Sequence, residues 1–230
     1  MEKEPVKYED KTLEPTIDEY IFLPLGKKVA DLAYVLGLSP NQVTFGSTVF
    51  QLLASYFFFR DGPLKAVLMY LLGYILDSSD GVMARKYKMT SNFGEIFDLS
   101  SDFLTTAVLL LVFFLKSRKR KYFWHLFILL LVLLHLGNLW YGLVNAQTCL
   151  RKTGSDNYYE EKKKKLEGEK GFLKSFYLLY TKFSYRAYKR AYPTLASDSK
   201  RLKAEILSLR QYGPGNLVLV ILFYLYFLGQ

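Results

Sequence analysis

Four aspartates lie in or beside apolar runs long enough to cross a bilayer, and nothing else constrains this chain as strongly. In the stretch from Asp77 to Asp102, DSSDGVMARKYKMTSNFGEIFDLSSD, Asp77 and Asp80 close an apolar run that begins at Leu64. Asp98 and Asp102 open a second run that continues from Phe103 to Leu115. A carboxylate at the centre of a membrane helix costs roughly 2.5–3.5 kcal/mol, so four of them need compensation. Arg85 is the one basic residue at that depth and would face four negative charges, which makes purely structural ion pairing a poor account. A bound cation is the better one.

Spacing narrows the chemistry. Residues three and four apart share a helix face, so Asp77, Asp80, Gly81 and Ala84 form one stripe and Gly94, Asp98 and Asp102 another. A polar link from Arg85 to Phe93 turns the chain between them, and two neighbouring helices can then present their carboxylates to one shared point. An all-oxygen set with no Cys or His nearby suits hard ions such as Mg²⁺, Mn²⁺ or Ca²⁺ and not Zn²⁺. Gly81, Ala84 and Gly94 leave room for a ligand, and Arg85 offers a planar fork that matches phosphate. Carboxylates, a divalent ion, an Arg and space together describe a site for phosphate chemistry.

These residues match D-x2-D-G-x2-A-R-x8-G-x3-D-x3-D at every fixed position, and on them the chain resembles the CDP-alcohol phosphotransferases, also called class-I CDP-alcohol phosphatidyltransferases. Eight fixed residues spread over 26 positions make the resemblance specific. Leu38 to Thr44, LSPNQVT, also resembles the stretch that opens the first membrane helix in many members. The resemblance is good from Asp18 to Val144 and poor in the C-terminal third. It implies an integral-membrane enzyme of phospholipid synthesis that moves a phospho-alcohol or phosphatidyl group from a CDP-linked donor to an alcohol, with CMP leaving. It further implies two ions, Mg²⁺ or Mn²⁺, held by Asp77, Asp80, Asp98 and Asp102. Asp102 is then also the catalytic base, and the CDP part sits on Asp77, Gly81, Ala84, Arg85 and Gly94. A carboxylate between metals is a weak base, so that role rests on the resemblance.

The rest of the chain reads as one polytopic helical protein. It is 51% hydrophobic, yet its mean hydropathy is only +0.08, because strongly apolar and strongly basic stretches alternate. Residues 1–15 read as a charged, flexible tail without the apolar core of a cleavable signal, and 16–230 as a single domain. Thr16 to Leu38 is amphipathic, with Ile21, Phe22, Leu23, Val29, Leu32, Val35 and Leu36 set against Asp18, Glu19, Lys27, Lys28 and Asp31. That pattern suits a helix lying in the membrane interface. Spans are predicted at Val43–Phe59, Pro63 to about Ala84, Gly94–Leu115 and Tyr122–Val144, with a short one at Gly215–Gly229. Phe172–Tyr192 mixes many aromatics with five Lys and Arg residues and reads equally as an interfacial helix or a span. The Lys162–Lys165 run reads as solvated loop. The fold class is therefore all-α, a bundle of five to six membrane helices behind an interfacial helix. Family members carry six, so the last is expected to be absent here, through natural variation or truncation. The single Cys149 forms no internal disulfide.

Counting Lys and Arg between spans gives 24 on one side and 7 on the other. The positive-inside rule puts the 24-side, which carries Asp80, Arg85 and Gly94, in the cytoplasm. The membrane is the endoplasmic reticulum in a eukaryote and the plasma membrane in a prokaryote. A net charge of +10 fits anionic lipid, and with the basic residues flanking the spans nucleic acid is not an expected partner. A homodimer is left open.

Several residues stay open on sequence. Asn41 either lines the site or caps the first membrane helix after Pro40. Glu95 is either a group behind Asp98 or a first-turn acid favoured by the helix dipole, the latter preferred. His125 and His135 read as packed or interfacial residues. Asn138, Tyr141 and Asn145 share a stripe that faces either the site or the bundle interior. The donor is CDP-diacylglycerol, CDP-choline or CDP-ethanolamine, with a slight lean to the last two from Gly94–Asp98, GEIFD. Two readings compete: a divalent-cation transporter with the carboxylates as its permeation site, and a catalytically inactive family member.

Overall fold

The computed structural model describes residues 14–117, 123–194 and 199–227. Almost all of the expected tail lies outside them. Among the described residues the chain is helical throughout, without a strand. A single π turn, Asp18–Phe22, runs into α1 (Leu23–Val35). Then follow α2 (Pro40–Phe59), α3 (Pro63–Lys86), α4 (Asn92–Ser117) and α5 (Phe123–Thr153). The remainder is α6 (Tyr158–Lys165), α7 (Phe172–Ala191), α8 (Ser199–Leu209), a 3₁₀ turn (Arg210–Tyr212) and α9 (Pro214–Phe227).

Four helical stretches are long and apolar enough to cross a membrane: Pro63–Lys86, Asn92–Lys116, Phe123–Thr153 and Lys200–Phe227. Only 28–33% of each apolar window is buried within the bundle. The leftover surface, with Leu64, Leu68 and Leu72 on α3 and Ile128, Leu131 and Val132 on α5, is one that lipid covers and water would not. The chain is an all-α polytopic bundle. One expected span, Val43–Phe59, and the segment left open, Phe172–Tyr192, are not in that set. The helix α2 is 20 residues long, but Thr44, Ser47, Thr48, Gln51 and Ser55 are buried along it and lower its hydropathy. They face α3 and α4, while Phe45, Val49, Tyr56 and Phe59 look outward. In Phe172–Tyr192 the basic residues decide, and α7 is not apolar enough to count as a span. The short C-terminal span is lengthened instead, by α8 joining α9.

Local signals explain where the helices begin. Ser39 is the N-cap of α2, its side chain accepting from Gln42 N–H at 3.4 Å while Gln42 Oε1 accepts from Ser39 N–H at 2.7 Å. That capping box, followed by Pro40 with its preset φ, fixes the start of α2. Between α3 and α4 the chain reverses through Lys88 at φ 57°. Ser91 Oγ then accepts from Gly94 N–H at 2.9 Å to open α4.

The amphipathic segment packs by its small residues, contrary to the simple two-faced pattern. Gly26, Ala30 and Ala33 are buried against α3, where Ser78 Oγ would lie 2.7 Å from a Cβ on Gly26. Leu32, Val35 and Leu36 stay exposed at 60%, 82% and 65%, as an interfacial helix requires. Asp31 accepts from Lys86 at 2.6 Å and Tyr87 at 2.7 Å, and these bonds hold its carboxyl below the usual range. Asp18 does not belong to the polar face. It is buried, accepts from Tyr74 Oη at 2.7 Å and from Gly215 N–H at 3.0 Å, and so joins the N-terminal segment to α3 and α9.

The Lys162–Lys165 run is helical, in α6, and is not a free loop. Lys162 and Lys165 pair with Glu95 of α4, which also accepts from Tyr177 of α7 at 2.6 Å. Glu95 therefore serves neither behind Asp98 nor merely the helix dipole; it ties α4, α6 and α7 together. Replacing it by Gln removes the charge that holds both lysines. We expect tryptic cleavage after Lys162–Lys165 to accelerate about tenfold, reflecting the lost charge-assisted bonds; an unchanged cleavage rate would show that α6 is docked by its apolar contacts alone.

Candidate active site

The stripes read from the sequence meet. Asp77 on α3 and Asp98 and Asp102 on α4 bring one carboxylate oxygen each to within 4.8 Å of one another. Asp77 and Asp98 are half-buried and Asp102 is exposed. Asp80 lies beside them, 5% exposed, and accepts from Thr44 Oγ1 at 2.5 Å. Asp77 accepts from Ser47 Oγ at 3.3 Å. Three carboxylates this close, Asp77 among them held by an α2 hydroxyl, fit a hard divalent cation, while Asp80 stands outside the close set, held by a second α2 hydroxyl.

Two cavities meet at these carboxylates and share Asp80, Gly81, Arg85 and Asp98. The first, about 570 Å³, is walled by Pro40, Asn41, Ala84, Ser91, Gly94 and Lys165, among others. Its shape depends on small residues. A Cβ on Gly94 would sit 3.0 Å from both Asn41 Oδ1 and Ser91 Oγ, and one on Gly81 would sit 3.1 Å from Arg85 Nη1. Gly81 thus lets the guanidinium fold back over its own helix. Since Ser39 is the cap of α2, Asn41 is spared that task, and its side chain lines this cavity. The second cavity, about 380 Å³, runs towards α5, α7 and α9, with Tyr70, Tyr74, Asn138, Tyr141 and Tyr180 in its walls.

Every residue of the eight-position signature lines one cavity or both. Of the α5 stripe, Asn138 and Tyr141 reach the second cavity, whereas Asn145 donates to its own helix at Tyr141 O, 2.8 Å away. His125 and His135 are exposed on α5 and line neither cavity. Sequence reasoning missed Thr44, Ser47 and Gln51 as site residues, although a polar stripe at i, i+3 and i+7 in an apolar helix was a readable signal. It also missed Tyr70, Tyr74 and Tyr180, for which no local pattern spoke.

Comparison with known proteins points to one family. Residues 37–157 match the CDP-alcohol phosphatidyltransferase family model. Over 86 residues the chain is 36% identical to the archaetidylinositol phosphate synthase of Pyrococcus horikoshii, covering 37% of this chain and 44% of that protein. Over 77 residues it is 32% identical to the CDP-diacylglycerol–inositol 3-phosphatidyltransferase of Saccharomyces cerevisiae, covering 34% of each. The corresponding Schizosaccharomyces pombe protein is 38% identical over 71 residues, 31% of this chain and 30% of that one. The matched stretch spans less than half the length of these relatives. No solved structure matches the chain. A family-model match over more than half of the 230 residues, centred on the two helices that carry the carboxylates, makes this chain a member of the CDP-alcohol phosphatidyltransferase family.

Proposed function

We propose that this protein transfers a phosphatidyl group from CDP-diacylglycerol to an alcohol and releases CMP. One observation carries the reading: the carboxylate cluster stands where two cavities join, so two substrates can meet at it from different sides. The Asn41, Gly94 and Arg85 side takes the CDP moiety, with Gly81, Ala84 and Gly94 permitting close approach and Arg85 binding phosphate. The α5 side takes the acceptor. Walls drawn from Glu14 and Pro15 through Ile221 support one catalytic unit that takes in the end of the expected 1–15 tail together with the domain expected at 16–230.

Asp77, Asp80, Asp98 and Asp102 would hold the metal, two ions of Mg²⁺ or Mn²⁺. Bound there, such ions neutralise charge on the donor pyrophosphate. Asp102, the most open of the cluster, takes the proton from the acceptor hydroxyl. The hydroxyl oxygen bonds the phosphorus that carries the lipid, the bond from that phosphorus to the bridging anhydride oxygen breaks, and CMP leaves with the bridging oxygen. Names of relatives favour CDP-diacylglycerol over the CDP-choline or CDP-ethanolamine suggested by the GEIFD segment. The cytoplasmic orientation of the site is supported by α6, whose lysines reach the end of α4 that carries Gly94.

The test is CMP release by purified protein in lipid, from CDP-diacylglycerol, CDP-choline and CDP-ethanolamine, with and without Mg²⁺ or Mn²⁺. Metal-dependent release from CDP-diacylglycerol is expected. Silence with all three donors would return the transporter and inactive readings, and metal uptake into vesicles would separate those two.

A further inference from the structure

Five Lys and Arg residues sit on α7, and three of them have partners within the protein. Lys174 donates to Glu169 O at 2.8 Å, Lys182 lies over the ring of Tyr159 at 5.9 Å from its centroid, and Lys189 pairs with Asp156 at 2.6 Å. Arg186 and Arg190 are exposed, and among the described residues neither makes a hydrogen bond or an ion pair.

The two arginines end an apolar stripe. Phe172, Leu179, Phe183, Arg186 and Arg190 follow one another at steps of three, four and seven residues, which places them on one helix face. Phe172, Leu179 and Phe183 are exposed at 80%, 67% and 60%. The opposite face of α7, with Tyr177, Thr181, Ser184 and Tyr188, is buried. None of the outer five lines either cavity at the carboxylates.

Contacts of the inner face set the depth of the outer one. Phe176 packs on Phe103 of α4 with ring centroids 4.8 Å apart, and Tyr180 bonds Asn138 in the middle of the α5 span. Tyr188 and Lys189 reach Asp156, just beyond the end of α5 that carries Arg151 and Lys152. Along its length α7 therefore climbs from the apolar middle of the bundle to its polar end. Leu179 and Phe183 stand at the depth of acyl chains, and the two guanidinium groups stand near the headgroups.

Charge selects the occupant. A guanidinium beside apolar surface needs a counter-charge, and its planar fork matches a phosphate. A zwitterionic headgroup brings its own ammonium and cancels much of that attraction, whereas an anionic one does not. We propose that the outer edge of α7 is a binding site for an anionic phospholipid, separate from the catalytic cavities. The acyl chains lie along Leu179 and Phe183, and Arg186 and Arg190 hold the headgroup phosphate. The site does not depend on the transferase reading.

The experiment uses the full chain with Leu179→Trp, reconstituted in phosphatidylcholine vesicles that contain either brominated phosphatidylglycerol or brominated phosphatidylcholine. Quenching of the added tryptophan, with the signal of Trp124 and Trp140 in the parent chain subtracted, reports which lipid touches the stripe. Phosphatidylglycerol is expected to associate at least about fivefold more strongly than phosphatidylcholine, the attraction of one or two arginines near the surface. Arg186→Gln together with Arg190→Gln should bring that ratio to about one. Arg190→Gln alone should lower it about two- to fivefold and decides the matter if the double variant folds poorly. Arg186→Lys with Arg190→Lys keeps the charge and should retain a preference of about twofold or more. Equal association of the two lipids, or a preference that survives the glutamine pair, overturns the proposal. Quenching by neither lipid overturns it too, because protein and not lipid would then cover the stripe.

Discussion

Asp102→Asn is expected to lower metal-dependent CMP release by about 10²–10⁴-fold, the usual contribution of a positioned general base. The substitution keeps the size of the side chain and removes its charge and basicity. Asp102 is the exposed member of a cluster whose other members are half-buried or buried, so the folded bundle should tolerate the change. Unaltered thermal unfolding beside lost turnover is the pattern that assigns Asp102 to chemistry. Asp80→Asn offers the contrast. Asp80 is 5% exposed and tied to Thr44, so its loss should damage metal affinity first and recover in part at high Mn²⁺. A fully active Asp102→Asn protein would remove that residue from the mechanism. Equal losses for both variants, both relieved by metal, would recast Asp102 as a ligand alone.

Asp18→Ala should cost about 3 kcal/mol of stability, because it leaves two buried donors, Tyr74 Oη and Gly215 N–H, without their acceptor. In detergent this corresponds to a fall in Tm of about 8 °C. Asp18→Asn keeps an acceptor oxygen and should lose less than half as much. The surroundings are tight: a Cβ on Gly215 would stand 2.5 Å from Asp18 Oδ1. Adding Tyr74→Phe to Asp18→Ala should therefore cost little beyond the single change, since the orphaned hydroxyl is gone. Should the two substitutions add in full, the Asp18–Tyr74 bond would not be what joins the N-terminal segment to α3.

Much of the candidate site was legible because it is built from local geometry. Steps of three and four residues put Asp77, Asp80, Gly81 and Ala84 on one helix face whatever surrounds them, and the same holds for Gly94, Asp98 and Asp102. Apolar length likewise determines a membrane bundle before any packing is known. Partnerships across long separations were not legible in this way. Glu95 and Lys162 stand 67 residues apart, Tyr180 and Asn138 stand 42, and Asp18 and Gly215 stand 197. No periodicity encodes which helix lies beside which, so Glu95 read as a helix-end charge and the Lys162–Lys165 run as solvated loop. The sequence by itself determined the carboxylate stripes, the small residues beside them and the bilayer as solvent. Only the tertiary structure decided that α2 supplies hydroxyls to the carboxylates, that α6 docks on α4, and that Asn138 of α5 meets Tyr180 of α7 beside the second cavity. Those relations depend on packing of residues distant in the chain, and packing is settled only when all the helices compete for the same neighbours.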